Sequence, residues 1–361
     1  MSPYSTRVYP IPMIAEPNVS TPGSEKQVLL ILPRMHGFFS LVFQAVGQAY
    51  LAEKAGQSPV VYFNRRCLYW SDAGYNGARN VWEYFFEPLS DITIDHLFPI
   101  EKGVREGYSV DEFAHLSSGT RVVATNRYPF VIEYKSPIGV CFERRFVNRL
   151  LNKYLIFKPS IPDKASIPDK VDDYCRAHFQ SRPILGVHYR GVEKLSGREK
   201  DELISRRAPD LKEFYFREMR RYMRKHPSAR IFVATDSEQF LGEAAAAFGR
   251  AVFFREATRL KKEEEVVGLH FSEQAKLNGP RLAEEVLLDA LLLARTDFLI
   301  HGISNVSNAA LFFSPQLRHT DIEVRYGRTK VYLRREFYRL MKRWSPGIAR
   351  QVERLENFIR F

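Results

Sequence analysis

Three clusters of polar residues follow apolar runs in the second half of the chain. They are HYRGVEK at 188–194 after ILGV, TDSE at 235–238 after IFVA, and HGISNVSN at 301–308 after DFLI. The guanidinium of Arg190 can fork onto phosphate oxygens with charge-assisted hydrogen bonds. The turn around Ser304 opens a helix, and the free N–H groups and dipole of a helix start favour an anion. These residue types predict a site for a nucleotide diphosphate.

Asp289 adds a carboxylate to this set from inside an apolar helix, VLLDALLL. A buried carboxylate must be paired or must accept hydrogen bonds. The N1–H and 2-amino group of guanine form a suitable bidentate donor. Asp289 is therefore a candidate to contact the base.

Each candidate also has a structural interpretation that the sequence leaves open. These interpretations are a satisfied core histidine at His188, a surface ion pair at Arg190, a cap at Asp236, a helix cap at Ser304 and Asn305, and an arginine partner at Asp289. One shared site would explain all of these residues together.

The elements that would bring the clusters together are parallel strands. Continuous apolar runs alternate with helical segments in both halves of the chain, a pattern typical of a parallel sheet covered on both faces. The carboxyl ends of parallel strands meet at one edge of the sheet, where ligands bind. In the first half the loop with Arg34, His36 and Gly37 lies at such an edge. We predict an α/β fold of two Rossmann-like domains that face each other across a cleft.

Composition shifts divide the chain into five predicted parts. These are a flexible lead-in at 1–26, an N-terminal acceptor domain at 27–160, a linker at 161–174, a C-terminal donor domain at 175–325, and basic helices at 326–361. The sequence SIPDK occurs twice around the linker, at 160–164 and 166–170. The aromatic stretch at 67–88 could line a sugar-binding surface, but we expect it to pack in the core.

The net charge of +12 is concentrated in the tail. Between Arg325 and Phe361 there are eleven Lys or Arg residues and three Glu. A local excess argues against a general nucleic-acid binder. We expect the tail helices to cross back to the N-terminal domain, with contact to an anionic membrane surface as a further hypothesis.

The location of the protein is expected to be the cytoplasm. No uninterrupted apolar stretch is long enough to span a bilayer, the first residues lack the apolar core of a secretory signal, and three scattered cysteines fit reduced thiols. If the tail binds the membrane surface, the protein would be peripheral at the inner face of the membrane.

Four segments in order carry a family resemblance. GVHYRG, IFVATDSEQFL, GLH at 268–270 and EEVLLDALLLARTDFLIHGISNVSNAALFF at 284–313 resemble the α-1,6-fucosyltransferases of the GT-B superfamily, including the rhizobial nodulation enzyme, and more distantly the protein O-fucosyltransferases. The resemblance covers about residues 180–315. It implies that the second domain binds GDP-fucose, that transfer inverts the anomeric carbon, and that neither a metal nor another cofactor takes part.

The resemblance also assigns site residues. The donor contacts would be His188 and Asp289 at the nucleoside, Arg190 at the β-phosphate, Ser304 and Asn305 at the diphosphate, with Asp236, Ser237 and His270 in the remaining motifs.

Two departures affect the chemistry. The family's second arginine is Gly191 here, and its catalytic glutamate has no direct match, which leaves Glu193 and Glu199 as candidate bases beside Arg190. No two aspartates are separated by a single residue, so there is no Asp-x-Asp pair to hold Mg²⁺ on a diphosphate.

The predicted function is an inverting, metal-independent glycosyltransferase for polysaccharide biosynthesis. It would transfer fucose from GDP-fucose to a glycan or a lipid-linked glycan and would bind no nucleic acid. The alternatives are another nucleotide-sugar donor, or a non-catalytic glycan- or nucleotide-binding protein on this scaffold.

Overall fold

The computed structural model describes most of both predicted domains. The described residues are 27–97, 121–129, 131–132, 140–160, 164–180, 183–191, 211–260 and 278–326. Three predicted site residues, Glu193, Glu199 and His270, lie outside these ranges, as do the lead-in and residues 327–361 of the predicted tail helices.

The first sheet is parallel and has the order β2-β1-β3. Its strands are β1 (Gln27–Ile31), β2 (Ser58–Val61) and β3 (Arg121–Thr125). Helix α1 (Phe38–Lys54) connects β1 to β2, as the apolar runs predict. The sheet order reverses between β1 and β3, so a crevice forms where the loops after these two strands diverge.

The second sheet is also parallel and has the order β6-β5-β4-β7-β8. The strands are β4 (Ile184–Tyr189), β5 (Arg230–Thr235), β6 (Val252–Phe253), β7 (Phe298–His301) and β8 (Arg318–Asp321). The chain builds β5 and β6 on one side of β4 and then returns to add β7 and β8 on the other side. The switch point, where this order reverses, therefore lies between β4 and β7.

Helices cover both faces of the second sheet. In chain order the remaining helices are α2 (Ile94–Leu97), α3 (Val140–Tyr154), α4 (Ile167–His178), α5 (Leu211–Lys225), α6 (Glu238–Phe248), α7 (Gly279–Leu293), α8 (Asn305–Phe313) and α9 (Ile322–Tyr326). On one face Leu185 and Val187 pack with Tyr215 and Met219 of α5. Helices α7 and α8 contribute to the apolar cluster on the other face. The α/β prediction with parallel sheets is confirmed.

One apolar core joins the two sheets. Phe39 and Phe43 of α1 contact Phe313 and Phe312 of α8, with ring centroids 6.2 Å and 5.5 Å apart. The Asn148 amide of α3 donates to the Phe312 carbonyl at 2.8 Å, at the carboxyl end of α8. The first half of the chain therefore helps to hold α8, the helix that follows the switch point.

The linker prediction is corrected in its second half. Helix α4 begins at Ile167, inside the predicted linker at 161–174. Ser166 and Asp169 form a capping box, and Pro168 lies in the first turn, where its missing N–H costs no helical hydrogen bond. The second SIPDK copy therefore starts a helix.

The aromatic stretch at 67–88 packs in the core, as expected. Tyr69, Trp82 and Phe86 are buried, and the Tyr69 hydroxyl accepts the backbone N–H of Phe38 at 2.8 Å. Tyr69 also lies against Gly279, the first residue of α7. The stretch thus connects the start of α1 to the start of α7. None of the helices in the described part of the chain has the length and apolar character needed to cross a membrane.

We expect Gly279→Ala to lower the free energy of unfolding by about 1–2 kcal/mol. A Cβ there would meet the Leu68 carbonyl oxygen and the Tyr69 Cα at 2.9 Å, and backbone atoms cannot rotate away. The control is Gly242→Ala in α6, where a Cβ meets nothing within 4 Å. That control should stabilise the protein by up to about 1 kcal/mol, because alanine favours helix. Urea unfolding measures both, and equal effects would contradict the packing argument.

Candidate functional site

The candidate site lies at the switch point of the second sheet. His188 and His301 are register partners on β4 and β7, so their side chains share one face of the sheet. The His188 Nε2 lies 3.5 Å from the Ser304 Oγ, and both residues are buried. The structure therefore brings together two of the predicted site residues from segments more than a hundred positions apart.

Ser304 is the N-cap of α8. The backbone N–H of Val306 donates to its Oγ at 3.2 Å, and Asn305 begins the helix in a half-buried position. Ser307 tightens the same turn by donating to the Gly302 carbonyl at 2.9 Å. The first turn of α8 contains no acidic residue, so the positive end of the helix dipole is not offset there. The cap interpretation is confirmed, and the same turn remains suited to an anion.

Arg190 directly follows β4, and the next residue contacts Asp236, which directly follows β5. The backbone N–H of Gly191 donates to the Asp236 Oδ1 at 3.0 Å. Asp236 therefore fixes the chain directly after Arg190. The alternative interpretation of Asp236 as a helix cap is wrong, and its contact with the donor stays a prediction. Ser237 is the cap of α6 instead, because its buried Oγ accepts the N–H of Phe240 at 3.0 Å.

Support for His188 comes from the opposite face of the sheet. The Tyr215 hydroxyl of α5 donates to the His188 carbonyl at 3.1 Å. Tyr189 stacks on Phe240 with ring centroids 4.1 Å apart. Tyr215 was not among the predicted site residues, and the signal that could have identified it is its hydroxyl, since a buried tyrosine hydroxyl usually finds a hydrogen-bond partner.

Asp289 lies away from the His188–Ser304 contact. Its Oδ1 accepts from the Arg255 Nη2 at 3.0 Å, and Arg255 follows β6. Strand β6 is two positions from β4, roughly 10 Å at ordinary strand spacing. Burial raises the pKa of Asp289, although Arg255 and Arg259 act in the opposite direction. Asp289 therefore has an arginine partner, as its structural interpretation predicts. Its contact with guanine stays a prediction.

The segment after β6 forms a charged corner around Asp289. Arg255 also donates to the Glu285 carbonyl at 3.0 Å, and the Glu285 carboxylate accepts the backbone N–H of Thr258 at 2.9 Å. Among the described residues, the buried Arg259 Nε has no hydrogen-bond partner. This corner is connected to the carboxyl end of β5, because Leu260 forms a β-bridge with Ser237. The sequence analysis did not identify these two arginines.

A buried hydrogen-bond chain positions the turn at Gly302. Arg144 of α3 contacts the His319 Nε2, the His319 Nδ1 lies 2.8 Å from the His301 Nε2, and the His301 Nδ1 lies 2.9 Å from the Gly302 carbonyl oxygen. Arginine can only donate, which makes each imidazole a neutral donor toward Gly302. We call Arg144, His319 and His301 the imidazole chain. Sequence spacing could not reveal it, since its members lie on three separate elements.

The first sheet has a polar switch point of its own. After β1, the Arg34 Nε donates to the Gln44 Oε1 at 2.9 Å, and the guanidinium lies 4.9 Å from the Tyr128 ring centroid beyond β3. Burial and the neighbouring Arg34 lower the pKa of His36. The predicted loop at this edge is therefore a structured polar surface.

The described ranges contain no group of three His, Cys, Asp or Glu side chains arranged to hold a metal ion. Metal independence of any reaction stays a prediction.

Comparisons with known proteins found similar solved structures. No family model matches the chain, and no curated protein matches it. The fucosyltransferase NodZ from Bradyrhizobium is 18% identical with a TM-score of 0.49, over 81% of this chain and 94% of that one. NodZ α-1,6-fucosyltransferase soaked with GDP-fucose is 18% identical with a TM-score of 0.48, and the match covers 80% of this chain and 94% of that one. POFUT1 in complex with GDP is 12% identical with a TM-score of 0.48, and the match covers 82% of this chain and 98% of that one. At these identities and TM-scores the likeness assigns no residue a role.

Proposed function

We propose that this chain is a glycosyltransferase that uses a GDP-sugar donor, with fucose as the sugar. The observation that carries the proposal is the contact of His188 with Ser304 at the switch point between β4 and β7. Open parallel sheets bind ligands in this crevice. The motif resemblance supports the donor class, and the crevice at the switch point supports the proposed position of the donor.

The groups at the crevice suit a leaving diphosphate. Arg190 directly follows β4, and α8 begins at Asn305 with no acidic residue in its first turn. A guanidinium and a helix start can stabilise the negative charge that develops on a departing GDP. In the proposal these groups replace a metal ion, and transfer proceeds with inversion.

The acceptor is proposed to lie toward the switch point of the first sheet. Arg34 and Tyr128 form a cation–aromatic pair there, and Tyr69 links this edge to the start of α7. An aromatic ring next to a fixed cation is suited to a sugar ring with polar groups. A glycan or lipid-linked glycan of polysaccharide biosynthesis is the proposed acceptor class, with Glu193 or Glu199 as the base that activates its hydroxyl.

Calorimetric titration tests the donor class. We expect GDP to bind and UDP and CMP to bind at least about tenfold more weakly, with no change when EDTA is present. GDP and UDP can make the same diphosphate contacts. Of the three bases, only guanine has two adjacent donors, N1–H and the 2-amino group, from which the proposed Asp289 contact can accept hydrogen bonds. Absence of nucleotide binding would remove the enzyme proposal, and preference for UDP would remove fucose as the donor sugar.

A second titration isolates the base contact. Inosine diphosphate lacks the 2-amino group of guanine, so a carboxylate contact should make GDP bind about tenfold more tightly than inosine diphosphate. We expect Asp289→Asn to abolish this preference. The matched control is Asp297→Asn. Asp297 lies at the amino edge of the second sheet, and its carboxylate accepts the Ile184 N–H at 2.7 Å. If Asp289→Asn keeps the preference, Asp289 serves only as the partner of Arg255.

A non-catalytic binding protein remains the second candidate, because Gly191 occupies the place of the family's second arginine. Release of GDP from GDP-fucose distinguishes the two. We expect measurable release, and its loss in Arg190→Ala would rule out the non-catalytic protein.

A further inference from the structure

The outward surface of α5 is a strip of arginines. Arg217, Arg220 and Arg224 are exposed and spaced by three and four residues, so they lie along one face of the helix. Glu213 is the acidic residue at the start of this strip. We call Arg217, Arg220 and Arg224 the arginine face.

The neighbouring Glu218 does not neutralise the arginine face. It is buried, and its carboxylate is occupied by the hydroxyl of Tyr326 and by Arg325, whose Nε lies 3.2 Å away. Arg221 lies 3.8 Å from the same oxygen. The Glu218 carboxylate therefore contacts residues of α9, and the arginine face keeps its positive charge.

An apolar groove runs beside the arginine face. Met223, Pro227 and Phe248 line a groove of about 550 Å³ together with Arg220 and Arg224. The Arg220 guanidinium carbon lies 5.9 Å from the ring centroid of Phe216. Arginine stems that lie over apolar surface while their heads reach outward are typical of side chains at a boundary between a bilayer and water.

Apolar surface continues onto α6. Three consecutive alanines, residues 245–247, are exposed directly before Phe248. Exposed apolar residues next to basic residues distinguish this surface from an ordinary solvated helix face, where the exposed residues are polar.

The basic tail leaves the described chain at the same place. Tyr326 stacks on Phe214 of α5 with ring centroids 4.5 Å apart, and the Arg217 guanidinium lies 5.2 Å and 5.4 Å from these two rings. The following residues carry most of the protein's excess positive charge. The described residues therefore end beside the arginine face.

We propose that the arginine face of α5 and the adjoining groove dock on an anionic lipid membrane surface. Anionic headgroups complement the three arginines, and the acyl boundary complements Met223, Phe248 and the alanines of α6. A nucleic acid would match the arginines but not the apolar groove. Helix α5 covers the face of the second sheet opposite to α7 and α8, so docking leaves the start of α8 uncovered. The inference does not depend on the proposed donor or reaction.

Co-sedimentation of the full-length protein with lipid vesicles tests this proposal. We expect binding to vesicles of phosphatidylcholine mixed with phosphatidylserine and little binding to phosphatidylcholine alone. The variant with Arg217→Gln, Arg220→Gln and Arg224→Gln should bind at least about tenfold more weakly, because each arginine near an anionic surface contributes roughly a factor of five. Glu213→Gln should strengthen binding, and it changes no arginine contact.

The matched control removes the same charge elsewhere through Arg79→Gln, Arg145→Gln and Arg149→Gln, which are exposed positions in the first half of the chain. We expect this control to bind vesicles nearly as well as the unmodified protein. Equal losses in the two triple variants would show that net charge alone is responsible and would overturn the proposal. Retention on heparin that depends on the arginine face, without vesicle binding, would identify a polyanion as the partner and would also overturn it.

Discussion

Arg190→Ala should weaken GDP binding by about 10- to 150-fold. The expected range follows from the loss of hydrogen bonds between a charged donor and a phosphate, about 1.5–3 kcal/mol in total. Arg190 is half-buried at the carboxyl end of β4, and the bond from Gly191 to Asp236 fixes the chain after it. The planar guanidinium is pre-organised for phosphate oxygens, so arginine loses little conformational freedom for each hydrogen bond that it forms. Isothermal calorimetry with GDP and with guanosine measures the effect.

The nucleoside provides an internal control for this prediction. Guanosine has no phosphate, so its affinity should change less than about twofold in Arg190→Ala. Arg230→Ala is the matched control variant, because Arg230 is also half-buried and begins β5 at the opposite edge of the same sheet. The Arg230 guanidinium lies 4.1 Å from the Phe253 ring centroid, so its loss should affect stability rather than GDP binding. Equal weakening of GDP and guanosine would assign Arg190 to folding and remove it from the diphosphate site.

The sequence predicts the sheets well because parallel strands are apolar on both faces. ILGV, IFVA and FLI are continuous apolar runs, and each lies in a central strand of the second sheet. The polar clusters after them must then emerge at one edge, which brings His188 to Ser304. This part of the site follows from local patterns and a general rule of sheet geometry.

Contacts between distant elements could not be predicted in the same way. Glu284 of α7 accepts the Tyr75 hydroxyl and pairs with Lys170 of α4 at 2.6 Å, so three segments meet at one carboxylate. The partner of Asp289, Arg255, also comes from a different segment, the connection after β6. No spacing within one segment encodes such contacts, because they depend on how the segments pack. The helix at Ile167 is hard to predict for a different reason, because proline breaks a helix in its interior but is tolerated in its first turn.

The imidazole chain predicts a strong dependence of stability on pH. His319 is partly buried between Arg144 and His301. Burial is the largest cause that lowers the pKa of His319, and together with His301 and Arg144 it brings this pKa to about 3. In the unfolded chain the imidazole has its ordinary pKa of about 6.5. The folded protein therefore binds fewer protons at His319 than the unfolded chain at every pH between these values.

The sign of the effect follows from proton linkage. Stabilisation from His319 is present above the unfolded pKa and is lost as the pH falls toward the folded pKa, at about 1.4 kcal/mol per pH unit. Between pH 7 and pH 4 the loss should reach about 3 kcal/mol. His36, whose pKa is also lowered, acts in the same direction, and Asp289, whose pKa is raised, acts in the opposite direction. A difference between variants separates His319 from these groups.

Urea unfolding at several pH values makes this comparison. His319→Gln cannot titrate, so it should lose less stability than the unmodified protein between pH 7 and pH 4, by about 2–3 kcal/mol, even if it is less stable at pH 7. His178→Gln, at an exposed position of α4, should keep the full dependence. Because the imidazole chain ends at the Gly302 carbonyl, which also accepts from Ser307, protonation of His319 should loosen the start of α8. GDP affinity should therefore fall together with stability in the unmodified protein as the pH is lowered. If GDP affinity depends on pH in the same way in His319→Gln and in the unmodified protein, the imidazole chain does not hold the turn at Gly302.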